Sequence, residues 1–350
     1  MTNLSELTTI RVGGPARLLV TATTRDELIT AAVDTWDSNE PWVLLGGGSN
    51  TIFADDGFDG TVIHVASRGI ERLGVGEGSS GVALPAGRVG VIVQAGEPWD
   101  ELVQWSIQQG LAGLESLSGI PGSTGAAPVQ NIGAYGQELS QTLVAVEFLD
   151  AYTEAITWIP ARDLELGYRD SAFKQGNLHG VILSVELALT PSDPAELAAV
   201  RADVLAQRSA KGMVLDPTDP DTFSCGSFFV NPIVTENFAR NLPEDAPRWL
   251  IADDDTPRVL SLDQDVPPLA GPAMVKLSAA WLIENAGVKK GYRVVGSGAA
   301  ISSKHTLAIT NTGTATAADV VGLANYVQAM VQSNFGILLQ PEPNLHDLEI

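Results

Sequence analysis

Hydrophobic and polar positions along this chain follow two periods, one of strands and one of helices. Trp42-Val43-Leu44-Leu45 is a short continuous apolar run, the pattern of a buried strand, and it leads directly into Gly46-Gly47-Gly48-Ser49-Asn50. Val89–Gln94 reads the same way, and further strands are expected at Val144–Leu149, Ala155–Ile159 and Val181–Ala188. Thr24-Arg25-Asp26-Glu27 has the form of a capping box and opens a helix through about Trp36. A second helix is expected from about Trp99 to the vicinity of Gly110. Thr190-Pro191-Ser192-Asp193-Pro194 is a natural break, after which Leu197, Val200, Val204 and Leu205 fall on one helical face. Acidic, proline-rich loops at Asp216–Asp221 and Asp253–Pro268 divide the second half. A last helix opens at Thr316 with Asp319 three residues on, buries Val320, Leu323, Val327 and Met330, and is closed by Gly336. No internal repeat appears. The pattern is that of an α+β chain with a domain boundary near residues 190–210.

Composition narrows the function. At 350 residues the chain is long enough for two or three cores. A net charge of −22 argues against nonspecific binding to nucleic acid or to an anionic membrane, but leaves a local anion site open. Five of the 20 Lys and Arg fall between Lys276 and Lys304, whereas acids gather in runs such as Asp253-Asp254-Asp255. A single cysteine, Cys225, excludes an internal disulfide and any multi-thiolate metal centre. His64, His179, His305 and His346 are scattered without ligand-like spacing, so no metal site is expected. No apolar leader or membrane-length run is present, which predicts a cytoplasmic protein. Nothing in the sequence sets an oligomeric state; a monomer is the default expectation.

The most distinctive stretch runs from Gly119 through Ile120-Pro121-Gly122-Ser123-Thr124-Gly125-Ala126-Ala127-Pro128 to Asn131-Ile132-Gly133-Ala134-Tyr135-Gly136-Gln137-Glu138. It is small-residue-rich and almost uncharged, which suits backbone that approaches a bulky, partly buried ligand; a structural turn has the same composition. Gly46–Asn50 after a strand suits a backbone nest for phosphate, though a tight hairpin reads alike. It is neither a Walker loop nor a Rossmann fingerprint. In Gly167-Tyr168-Arg169-Asp170, the planar fork of Arg169 fits a carboxylate, and a surface pair with Asp170 is the plain alternative. Gly226-Ser227-Phe228-Phe229 sets one hydroxyl beside two aromatics, as a proton donor or as a turn cap, without the nucleophile elbow of a hydrolase. Pro341-Glu342-Pro343 stiffens one carboxylate after the apolar run Ile337-Leu338-Leu339, expected as a strand; an exposed proline turn is again the alternative.

Taken in order, these segments resemble the bacterial UDP-N-acetylenolpyruvoylglucosamine reductase family of peptidoglycan precursor synthesis. The resemblance spans nearly the whole chain and is carried most specifically by Ile120–Gly136, joined by Gly46–Asn50, Gly167–Phe173, Gly226–Pro232 with Lys276–Glu284, and Pro341-Glu342. It implies a vanillyl-alcohol-oxidase-type FAD-binding region, about residues 1–192, followed by a smaller α+β substrate-binding region, 193–350. The last helix and strand, about 316–350, would pack back on the first subdomain. It implies noncovalent FAD, with NADPH as hydride donor and UDP-N-acetylglucosamine enolpyruvate as acceptor. Two hydride transfers follow: NADPH to FAD, then flavin to the enolpyruvyl carbon.

Carried over by motif, Arg169 and Glu342 would stabilise the enolate and its carboxylate, and Ser227 would protonate the carbon. FAD would lie against Gly46, Gly47, Gly48, Ser49, Asn50, Gly119, Pro121, Gly122, Ser123, Gly125 and Ala126. Tyr135, Lys211, Asn231, Lys276, Glu284 and Asn285 are the substrate-binding candidates. One branch of the family closes a tyrosine-bearing loop over the substrate; here no Tyr occurs between Tyr168 and Tyr292, and the connection around 190–195 is short. A basic residue often follows the acid two places on, where this chain has Asn344. The alternative is another noncovalent FAD oxidase or dehydrogenase of the same fold. A regulator with an inactive site is a third possibility, disfavoured because all three catalytic residue types are present.

Overall fold

A parallel three-stranded sheet opens the chain, with Phe58–Val65 between Ala16–Ala22 and Trp42–Leu45. The computed structural model describes residues 2–251 and 273–350; the acidic run Asp253–Asp255 and the loop expected at Asp253–Pro268 lie outside them. Because parallel strands of one sheet need a crossover, the helix Arg25–Asp37 carries the chain from the first edge strand to the second. Its Thr24 cap accepts from the Glu27 N–H, as expected. Only half of the capping box forms, because the Glu27 carboxylate turns to the N–H and hydroxyl of Thr23.

The second sheet is antiparallel. Gly180–Pro191 lies at its centre between Leu143–Asp150 and Val89–Gln94, with Ile156–Pro160 and Ile70–Val75 at the edges. The central strand outruns the expected Val181–Ala188 because Leu111–Ala112 pairs with its last residues. The helix Trp99–Gln108 buries Trp99, Leu102, Val103 and Ile107 against Val89, Val91 and Val93. Leu28 and Ala32 of the first helix pack with Ile63 of the parallel sheet and with Leu149, Val181 and Leu183 of the antiparallel one. That shared core fixes the two sheets' loops against each other.

The helix Pro194–Ala210 starts at Asp193, whose side chain accepts from the Ala195 N–H. Leu197 and Val204 are buried and Leu205 half-buried, but Val200 is 39% exposed. The contact stripe runs through Leu197, Arg201, Val204 and Arg208, spacings of four, three and four, so arginines occupy places an apolarity pattern passes over. Arg201 grips Asp100 bidentately at 2.6 and 2.7 Å, tying this helix to Trp99–Gln108.

In the second half, Met274–Leu277 pairs between Ile233–Thr235 and Arg248–Ile251. The last helix, Ala317–Phe335, has the full Thr316/Asp319 capping box and ends at Gly336 with φ 70°. Its Val320, Leu323, Ala324, Val327 and Val331 share one core with Phe228, Phe229, Leu282 and Ile283, and with Ile10, Val12 and Ile52 from the start of the chain. Met330 is only half-buried at the margin of that core. The expected strand at Ile337–Leu339 does not form. That run crosses as irregular backbone, burying Ile337 and Leu339, and Pro341 makes a single bridge to Phe229. The returning strand is Asn344–His346, parallel to Thr51–Phe53.

Candidate active site

The turn that follows Trp42–Leu45 sits at the carboxyl end of a parallel strand, where open sheets expose backbone N–H groups to ligands. It meets the Gly122–Ala126 segment directly. A Cβ on Gly47 would come within 2.8 Å of the Gly122 Cα, and one on Gly46 within 2.3 Å of the Ser123 Oγ. Ser49 Oγ donates to the Pro121 carbonyl at 2.9 Å and seals the junction. The two segments therefore form one continuous wall rather than two separate jaws. Along it the N–H groups of Gly47, Gly48, Ser49, Asn50, Gly122 and Ser123 have no hydrogen-bond acceptor among the described residues. All but the exposed Gly47 are buried or half-buried, a setting in which backbone donors are rarely left unpaired, and such a row suits an anion.

This wall lines a cleft of about 1070 Å³. Gly46, Gly47, Gly48, Ser49, Asn50, Gly122, Ser123, Gly125 and Ala126 all face it, and no Lys or Arg does. A dinucleotide fits such a site: its size suits the cleft, and the nest meets its phosphates without a cation. Pro121 lines an adjoining, smaller cavity. Gly119 lines neither; its N–H donates to Asp100 Oδ1 at 2.6 Å, and a Cβ there would strike Leu205. It serves the packing of two helices.

The smaller cavity, about 180 Å³, shares Ser49, Asn50, Gly122, Ser123, Ala126 and Gln130 with the cleft and adds Arg169, Ser227 and Glu342. Residues 173 positions apart in the chain meet here. Arg169 Nε lies 3.1 Å from Glu342 Oε1, and its Nη2 donates to the Gly133 carbonyl at 2.7 Å. The surface pair with Asp170 does not form: Asp170 accepts from Ser171 N and Gln175 instead. Arg169 occupies the left-handed region at φ 54° in a tight Gly167–Asp170 turn. Asn131 Nδ2 and Ser171 Oγ clamp that turn to the 129–133 segment. A non-glycine residue held this way is local strain imposed by its surroundings, and here it aims a guanidinium into the cavity.

Glu342 is largely buried, not an exposed turn residue. Its N–H donates to the Phe228 carbonyl, and its own carbonyl accepts from Asn50 and Gln130. The same pairing runs on from Val230 N to the Gln340 carbonyl, so the Ser227 and Glu342 segments are neighbours. Burial raises the Glu342 pKa above the usual carboxylate range, against the opposing pull of Arg169 and Lys174. Ser227 is half-buried, and among the described residues its hydroxyl has no hydrogen-bond partner, so it caps no turn.

None of the six substrate-binding candidates lines either cavity. Asn231 and Lys276 come together at Tyr168, beside Arg169. Asn231 donates to the Tyr168 hydroxyl at 3.3 Å and accepts from Ala279 N, while Lys276 Nζ lies 4.6 Å from the Tyr168 ring centroid. Glu284 accepts from the Thr306 hydroxyl. Lys211 is exposed near His305, whose pKa falls to about 4 mainly through burial, then through Lys211 and Lys290. Asn285 turns back to the Trp281 carbonyl, and Tyr135 stands at a hairpin tip, 41% exposed.

Arg208 escaped the motif reading. It is 8% exposed, lines the smaller cavity, and its Nε has no partner among the described residues. A basic residue recurring on a buried helical stripe is the signal that finds it. Asn344, at the place where the family often carries a basic residue, lines the larger cleft.

Residues 16–157 match the FAD-binding domain family, so the fold and its nest define an FAD-dependent oxidoreductase. Residues 217–346 match the C-terminal domain of UDP-N-acetylenolpyruvoylglucosamine reductase. The reductase of that name from Leifsonia xyli subsp. xyli is 52% identical over 382 residues, covering 99% of this chain and 98% of its own length. One from Nocardia farcinica is 44% identical, covering 97% and 87%. The crystal structure of the Thermus caldophilus reductase is similar with a TM-score of 0.66 at 28% identity, covering 99% of this chain and 97% of that one. The chain belongs to the UDP-N-acetylenolpyruvoylglucosamine reductase family.

Proposed function

We propose that this protein reduces UDP-N-acetylglucosamine enolpyruvate to UDP-N-acetylmuramate with NADPH and FAD, a step of peptidoglycan precursor synthesis. The observation that carries the reading is the convergence of Arg169, Glu342 and Ser227 on a cavity continuous with a cation-free dinucleotide cleft. When bound, FAD supplies two-electron chemistry, taking hydride equivalents from NADPH and passing them to the enolpyruvyl double bond.

The chain's own residues then handle charge and protons. Arg169 keeps its Nη1 free of hydrogen bonds among the described residues, a donor for the substrate carboxylate. Glu342, whose pKa burial raises against the pull of Arg169 and Lys174, stands beside Arg169 to stabilise the enolate. Serine is a feeble acid in water, but a carbanion beside it is a strong base, so transfer from Ser227 over one hydrogen bond runs downhill. Fixing the donor on one side of the substrate sets the configuration of the new centre.

Asn231, Lys276 and Tyr168 adjoin the catalytic arginine and extend the substrate surface in this reading. The division at about 1–192 and 193–350 is supported by the separate family matches on either side. Among the described residues no helix is long and apolar enough to cross a membrane, in keeping with action on soluble nucleotide-sugars in the cytoplasm. The test is colour. The purified protein should be yellow, bleach with NADPH without oxygen, and recover when the enolpyruvyl substrate is added. A colourless protein, or one reoxidised by oxygen alone, overturns the reading.

A further inference from the structure

Behind Arg169 and Glu342 runs a set of hydrogen bonds to which the chemistry above gives no task. In front, the two residues meet through their side chains. At the back, their backbones are joined by Lys174 and Gln130. Lys174 Nζ donates to the Arg169 carbonyl at 2.9 Å and to Gln130 Oε1 at 3.3 Å. Gln130 Nε2 in turn donates to the Glu342 carbonyl at 3.2 Å. The path is a closed ring that leaves the pair through one backbone and returns through the other.

The two segments that supply this ring are stitched together on both sides of it. Ser171 Oγ donates to the Val129 carbonyl and accepts from the Lys174 N–H, while Asn131 Nδ2 donates to the Gly167 carbonyl. The lysine side chain therefore starts from a fixed point opposite Gln130. Gln130 is 8% exposed and lines both the cleft and the catalytic cavity. Lys174 is exposed and lines neither, so it reaches the site only through its partners.

We propose that Lys174 is a positioning residue for the step at the enolpyruvyl substrate, acting through the orientation of the Gln130 amide. The inference rests on the reductase reading above. An amide has one accepting end and one donating end, whereas an ammonium only donates. With Lys174 on Oε1, the amide must turn its Nε2 to the Glu342 carbonyl. Without Lys174 the amide is free to reverse and set two acceptors face to face, and Asn50 is then the one side chain still donating to that carbonyl. The same ammonium bonds the carbonyl of Arg169, a residue held at φ 54° that depends on its surroundings to stay there. Lys174 also opposes the rise that burial causes in the Glu342 pKa. One exposed charge thus holds the arginine directly and the glutamate through one amide.

Stopped flow on the full-length holoenzyme tests this. Lys174→Met should bleach with NADPH at the wild-type rate, then recover its colour with the enolpyruvyl substrate about 10-fold more slowly, because small misplacements of catalytic groups cost rate. Its KM for that substrate should stay near the wild-type value, since alignment in the transition state is what is lost. Lys174→Arg, still a donor, should regain most of the rate. Gln130→Met should slow recovery as Lys174→Met does, and the double variant should be at most about 2-fold slower than the slower single, because both act along one path. Lys174 is exposed, so its removal spares the fold and keeps the test sound if the buried glutamine variant folds poorly. Full-speed recovery in Lys174→Met, equal slowing of bleaching and recovery, or effects that multiply in the double variant overturn the proposal. A wild type whose colour the enolpyruvyl substrate does not restore defeats the underlying reductase reading instead.

Discussion

Arg169 Nε and Glu342 Oε1 lie 3.1 Å apart across 173 residues of sequence, and each is held in place through its own backbone. The arginine sits in a strained left-handed turn; the glutamate is bonded through both its N–H and its carbonyl. The pair binds the end of the chain to its middle at the rim of the catalytic cavity. It orients the guanidinium while leaving one donor edge open.

Arg169→Lys keeps the charge and loses the planar fork. Turnover should fall by at least about 10²-fold, the scale for removing a donor aimed at developing negative charge. Steady-state kinetics with saturating NADPH checks this. Near-normal turnover in the lysine variant would assign Arg169 a role in surface packing only.

The flavin should be tight but noncovalent, because the wall that meets it carries neither a cation nor a nucleophilic His or Cys in its glycine segments. Acid or heat precipitation should release all the yellow colour into the supernatant. Gly47→Ala, whose Cβ would fall 2.8 Å from the Gly122 Cα, should open the wall and yield protein with flavin well below one per chain. Full flavin content in that variant, or colour remaining in the pellet, contradicts this account.

His305 gives a pH signature. Burial first, then Lys211 and Lys290, lower its pKa from 6.5 to about 4, so the folded chain holds it neutral where the unfolded chain is protonated. Its contribution is complete above pH 6.5 and is lost as pH falls towards 4. His305→Gln should therefore gain about 1–3 kcal/mol on the wild type between pH 7.5 and 4.5, read from urea midpoints. Parallel losses in the two proteins over that range would show that His305 titrates normally.

Much of this site was legible in the sequence because its signals are local. The apolar run Trp42–Leu45 and the glycines after it fixed a strand and its turn, and Thr316, Asp319 and Gly336 marked both ends of the last helix. Signals that depend on a tertiary partner were read less well. Gly119 shares the composition of the dinucleotide wall but answers to Leu205 and Asp100. Val200 has the apolarity of a buried position yet is exposed, because Arg201 and Arg208 hold the contact stripe through polar groups. Ile337–Leu339 has strand composition, yet it crosses unpaired; a single bridge to Phe229 comes at Pro341, and the returning strand begins five residues after Leu339. Arg208 carries no motif at all. Its one trace in the sequence is its place with Arg201 on the stripe of Leu197 and Val204, and its burial beside the cavity gives that place a meaning.

The central claim is that Ser227 acts after the hydride has reached the substrate, and stopped flow separates the two halves of the cycle. Ser227→Ala, mixed with NADPH, should bleach the flavin at a near-normal rate, since the hydroxyl has no bond to the rest of the described chain that its loss would break. Mixed next with the enolpyruvyl substrate, the reduced variant should recover its colour about 10²–10⁴-fold more slowly than the wild type, the loss expected for a general acid. If bleaching slows as much as recovery, the serine shapes the pocket and its role as proton donor is wrong.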